Sequence, residues 1–204
     1  MSGKVYVASM NMRGCWAVPP NQDIIKLNVT SAQSKSSKNR RDFSPMTMIK
    51  DSYKGFLNFE SYWQSGKVYD RIDHKLTKEW WRLLTEPKRR YPNSKNNKIL
   101  YAQFDDYPNE HMDYLASRKK IYVPEYFDLM KNTEMAQFYK KLVEQGTDVI
   151  VYDFDGPRCE DGSVTYMEAN VKNLKTKLND LSNPFGHGYI VAGWLKGIYP
   201  SQYI

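Results

Sequence analysis

Cysteine and histidine are scarce in this 204-residue chain, which holds two Cys (Cys15, Cys159) and three His (His74, His111, His187). Two cysteines in unlike surroundings give no disulfide framework, and no Cys or His pairs stand at zinc-ligand spacing, so neither a metal site nor a cofactor is expected. Long apolar runs are missing too. The longest, 148–152 and 189–195, fall far short of the roughly 20 residues of a membrane helix. The start, Met-Ser-Gly-Lys-Val-Tyr-Val, lacks a secretory apolar segment. The expectation is a soluble, cytoplasmic protein in a reducing compartment, without a membrane partner and with its oligomeric state left open.

Aromatic residues, by contrast, are plentiful. With 16 Tyr, 8 Phe and 5 Trp, and 41% hydrophobic residues overall, the chain has material for a buried core. Single domains commonly reach roughly 200 residues, so one domain over 1–204 is expected.

The formal net charge is +7, from 30 Lys+Arg and 23 Asp+Glu. The excess is clustered in three knots: Lys35, Lys38, Arg40 and Arg41; Lys88, Arg89 and Arg90; Arg118, Lys119 and Lys120. A phosphate-bearing partner suits such knots, whether a free nucleotide, a nucleotide sugar or a polynucleotide. The first knot lies in 30–45, a polar stretch with almost no apolar residue and no period, which reads as a basic loop. Its Ser hydroxyls and the forks of Arg40 and Arg41 are phosphate-binding groups.

Strands are predicted at 4–8, 24–29, 98–104 and briefly 121–123, the last ended by Pro124. The strongest strand signal is 148–154, Asp-Val-Ile-Val-Tyr-Asp-Phe, whose unbroken apolar run suits a central strand. Helices are predicted within 53–69 and at 77–84, 125–130, 135–144, 171–181 and 187–195. The pattern gives an α+β fold, with a small mixed β-sheet surrounded by helices.

Three constellations carry candidate chemistry. Asp153 and Asp155 follow the strongest strand, where open sheets place ligand and catalytic groups. Residues i and i+2 of an extended strand share a face, so the two carboxylates act as an acid and base pair if the strand continues that far. Gly186-His187-Gly188 opens the last helix, where two glycines let a ligand approach the N–H groups and His187 offers an imidazole. The segment Glu60-Ser-Tyr-Trp-Gln-Ser-Gly-Lys67 interleaves a carboxylate, an amide and a cation with Phe59, Tyr62 and Trp63. A carboxylate beside aromatic faces suits proton exchange or hydrogen bonding with a sugar.

This octet resembles the E-x-Y-[FW]-Q-[AS]-x-K helix of the NADAR superfamily, N-glycosidase-like proteins associated with NAD and ADP-ribose. Asn58-Phe59 is similar to the Asn-Phe that precedes that helix, so the similarity spans 58–67. The resemblance implies a NADAR-like fold, with Glu60 as the catalytic carboxylate. It further implies that Gln64 and Lys67 support Glu60, and that Asp153 or Asp155 is a second acid. The activity implied is hydrolysis of the N-glycosidic bond of a nucleotide or ADP-ribose-type substrate, free or as an ADP-ribosylated nucleobase. Its oxocarbenium-like transition state is served by carboxylates, while aromatic residues hold the base and Arg or Lys the phosphates. The alternative is a non-catalytic nucleic-acid-binding protein that uses the basic knots and stacking aromatics. A phosphatase built on Asp153 and Asp155 is a third class.

Overall fold

The computed structural model describes residues 1–92 and 94–204. In chain order the elements are β1 (Val5–Ser9), β2 (Ile25–Asn28), α1 (Lys38–Phe43), α2 (Phe59–Ser65), β3 (Lys67–Tyr69), α3 (His74–Arg82) and β4 (Ile99–Ala102). There follow α4 (Tyr114–Ser117), α5 (Val123–Met130), α6 (Glu134–Glu144), β5 (Val149–Asp153), β6 (Tyr166–Glu168), α7 (Val171–Asn179) and α8 (His187–Lys196). The architecture is α+β, and the chain divides into two compact units, Met1–Ser44 with Val123–Ile204, and Pro45–Tyr122.

The first unit is built on a four-stranded sheet in the order β2-β5-β1-β6. β5 runs parallel to both β1 and β2, and β6 pairs antiparallel with β1. Every residue of β5 is buried, which explains its continuous apolar sequence. Alternation along the strands separates two faces. On one, Tyr6, Ala8, Ile150 and Tyr152 cluster with Met10, Ala17 and Ile24 of the following loop. There the Tyr152 hydroxyl donates to the Ala17 carbonyl at 2.6 Å. The other face holds Val7, Val149 and Val151, none of them exposed. α8 packs on β1 and β5 and also meets α5 and α6. It is apolar nearly all round, as a helix enclosed by other elements must be, and it stops at Gly197, whose φ of +81° is the left-handed cap favoured by glycine.

The second unit pairs β3 with β4 antiparallel and carries α2, α3 and α4. Asn58 starts α2: its side-chain oxygen accepts the Ser61 N–H at 2.8 Å, and its amide donates to the Met46 carbonyl at 3.1 Å. Phe56, Phe59, Tyr62 and Phe104 form a buried aromatic core. Gly66 lets the chain turn from α2 into β3 because a Cβ there would lie 2.4 Å from the Phe104 ring.

Several local expectations change. Helix occupies only Phe59–Ser65 of 53–69, because β3 begins directly after Gly66. In place of the 121–123 strand, Ile121 and Tyr122 end a π-helical turn, Arg118–Tyr122, Val123 opens α5, and Pro124 sits in the first turn of α5, where a missing N–H is tolerated. Within 30–45, α1 forms because Ser37 caps it and Phe43 buries its last residue. Among the described residues no helix is long and apolar enough to cross a membrane.

Candidate functional site

Glu60, Trp63 and Gln64 occupy the half-buried face of α2, while Phe59 and Tyr62 turn into the core. The i, i+4 spacing brings Gln64 onto Glu60, and the Gln64 amide donates to Glu60 Oε1 at 2.7 Å. One carboxylate oxygen is thereby fixed, and Oε2 has no hydrogen-bond partner among the described residues. Lys67 follows as the first residue of β3. Burial pushes its ammonium below the usual lysine range, and the Glu60 charge acts in the opposite direction. Its Nζ makes no hydrogen bond or salt bridge among the described residues.

Trp63 and Lys67 also line a cleft of about 380 Å³ inside the second unit, together with Tyr101, Phe104, Asp113 and Tyr114. Glu60 and Gln64 are not part of its lining. Trp63 and Phe104 lie nearly parallel, 18° apart with centroids at 5.9 Å, and His111 stacks on Tyr101 at 3.9 Å. Asp113 starts α4, accepting the Ala116 N–H on Oδ1 at 2.7 Å. Ile99, Leu100 and Tyr114 are 46%, 52% and 48% exposed, an apolar lip on the cleft. The sequence reading named Trp63 and Lys67 but missed the rest of this lining. Asp113 before Tyr-Leu-Ala-Ser was a legible cap signal, but nothing local linked it to Trp63.

Beside α2, the Tyr62 hydroxyl donates to Asp106 at 3.0 Å, and Lys54 Nζ lies 2.5 Å from the same oxygen and 4.7 Å from the Tyr62 ring centre. Lys54 is delivered by a turn in which Asp51, Ser52 and Lys54 have φ of +64°, +66° and +52°. Side chains rarely adopt that conformation, so the ion pair and ring contact offset local strain.

The other expected residues lie in the first unit. Asp153 is 2% exposed. Its Oδ2 accepts the Gly188 N–H at 2.8 Å and stands 3.3 Å from His187 Nδ1. His187 Nε2 is 2.9 Å from the Val29 carbonyl, which can only accept, so Nε2 carries a proton and both ring nitrogens face oxygens of the chain. A Cβ on Gly186 would meet Asp153 Oδ2 at 2.4 Å, and one on Gly188 would meet Asp153 Cβ at 2.7 Å. The two glycines therefore admit the chain's own carboxylate. Burial, and after it the Asp153 charge, raises the Tyr126 and Tyr189 hydroxyls above the usual phenol range. Asp155 is exposed, because β5 ends at Asp153 and strand alternation does not reach it.

Arg40 Nη1 donates to the Gln33 carbonyl at 2.8 Å. Arg41 pairs with Asp42 at 2.5 Å and with Glu134 at 2.8 Å, the latter shared with Lys38. In the other knots Lys88 pairs with Glu86 and Lys120 with Glu110, and Arg118 is 1% exposed with its guanidinium 4.4 Å from the centre of the Tyr114 ring. The expected site residues thus lie in both units, Asn58 to Lys67 in the second and the others in the first. Comparison with known protein families, curated proteins and solved structures finds no match to this chain.

Proposed function

We propose that the protein is an N-glycosidase-type hydrolase of the NADAR kind, cleaving the N-glycosidic bond of a nucleotide or ADP-ribose-type substrate. The observation that carries this is Glu60, with one oxygen held by Gln64, the other without a hydrogen-bond partner among the described residues, and Lys67 and the aromatic cleft next along the chain. A fixed carboxylate stabilises the positive charge that develops on the sugar as the bond to the base breaks, and it orients and deprotonates the attacking water. Lys67 supplies a cation for a substrate oxygen. Asp153 is left out of this chemistry because its carboxylate is engaged with Gly188 and His187. The two free, exposed cysteines suit a reducing cytoplasmic setting.

A polynucleotide track gains less support. Lys38, Arg41, Lys88 and Lys120 each meet a carboxylate, which leaves fewer cations to release counterions from phosphates. The test is chromatographic detection of free base after incubation with NAD, nucleotides and ADP-ribosylated nucleobases. Base release from at least one supports hydrolysis. Absence of release from all, with affinity rising steadily with oligonucleotide length, favours the nucleic-acid-binding alternative.

A further inference from the structure

We infer that the cleft of the second unit binds a flat heteroaromatic ring that carries an amino group beside a hydrogen-bond acceptor. Three features converge on that chemistry. The walls are flat and braced: Trp63 lies nearly parallel to Phe104, and Tyr101 is backed by His111. Such surfaces stack with rings of any identity. The lip exposes Ile99, Leu100 and Tyr114 around one opening, and clustered exposed apolar side chains mark binding grooves more often than structural need.

The polar groups then narrow the occupant. Asp113 spends Oδ1 on its helix cap, and its second oxygen has no donor among the described residues. Lys67 offers an ammonium without an acceptor among the described residues. One cleft therefore presents a carboxylate acceptor and an ammonium donor on aromatic walls. The complementary ligand donates from an amino group to Asp113 and accepts from Lys67 through a ring nitrogen or carbonyl. Adenine, cytosine and nicotinamide all meet that description, and about 380 Å³ is within the usual range of small-molecule sites. Resting on the hydrolase reading, this ring is the leaving base.

The test is calorimetric titration of the whole chain with three matched pairs: adenine and purine, cytosine and pyrimidine, nicotinamide and pyridine. The amino-bearing member of at least one pair is expected to bind about tenfold tighter than its bare ring, the scale of one charge-assisted hydrogen bond. The preferred pair identifies the source of the ligand. Asp113→Asn, which retains a helix cap, should erase that preference, whereas Lys67→Met should weaken both members of the adenine and cytosine pairs. Trp63→Leu should weaken every ring. No binding by any ring, no preference within any pair, a preference that survives Asp113→Asn, or rings that bind Lys67→Met as tightly as wild type overturns the inference. These measurements need no turnover, so discrimination by a chain that releases no base would leave the ring site standing while the hydrolase reading fell.

Discussion

Asp153, the last residue of β5, caps α8, its carboxylate accepting the Gly188 N–H at 2.8 Å with His187 Nδ1 at 3.3 Å. A buried carboxylate at a helix N-terminus is held by the orphan N–H groups and the helix dipole. Asp153→Ala removes that charge and leaves His187 facing a void. The loss of unfolding free energy should be about 3 kcal/mol, the lower end for breaking a buried pair. Chemical denaturation measures it. Unchanged stability with lost activity would instead make Asp153 a catalytic acid.

Gly188 is the steric partner of that cap. A methyl group there must occupy space 2.7 Å from Asp153 Cβ, inside a packed interface of strand and helix. Gly188→Ala should cost about 1–3 kcal/mol, the usual scale of overpacking. A variant as stable as wild type would show that helix and strand separate without penalty.

Asp106 makes the second unit sensitive to acid. Its hydrogen bond from Lys54, with a smaller contribution from Tyr62, holds its carboxyl below the usual aspartate range despite partial burial. A depressed acid stabilises the folded state above its ordinary value, near 3.9, and the contribution disappears as pH falls through the lower folded value. Asp106→Asn should therefore melt below wild type at pH 6, and the gap should close under acid. A gap of equal size at pH 3 and pH 6 would assign the effect to packing alone.

Lys67 carries the opposite sign. Because burial lowers its affinity for a proton, the unfolded chain binds that proton more readily, and wild type loses stability as pH falls below the ordinary lysine value near 10.4. Lys67→Met should melt at or above the wild-type temperature at pH 7, with the difference narrowing toward pH 10. A strongly destabilised Lys67→Met would make the ammonium a structural group.

Periodicity made much of the first unit legible. The run 148–154 announced β5, and the apolar stretch after His187 announced α8, because burial on every side removes polar residues. β6 left no such mark: three residues with Tyr166 and Glu168 exposed have no buried alternation to show. β3 was hidden because Lys67 continues the helical stripe of Phe59, Tyr62 and Trp63, and three residues are too few to show alternation. In the site, the Glu60 and Gln64 pair was readable from i, i+4 spacing. Asp113 and Tyr101 were not, since they reach Trp63 through tertiary folding. The Gly186 and Gly188 spacing was visible, but the group that fills the space, Asp153, lies far earlier in the chain.

Single-turnover base release by wild type and Glu60→Gln, with thermal melts of both, decides whether Glu60 performs the chemistry. Gln keeps the size of the side chain and its place beside Gln64 but removes the charge that would meet an oxocarbenium-like sugar. Melts should coincide within a few degrees, while the rate of base release falls by at least ~100-fold, the usual cost of losing an acid or base catalyst. Equal rates from the two proteins, or a Glu60→Gln chain that no longer folds, would contradict the assignment of Glu60 as the catalytic carboxylate.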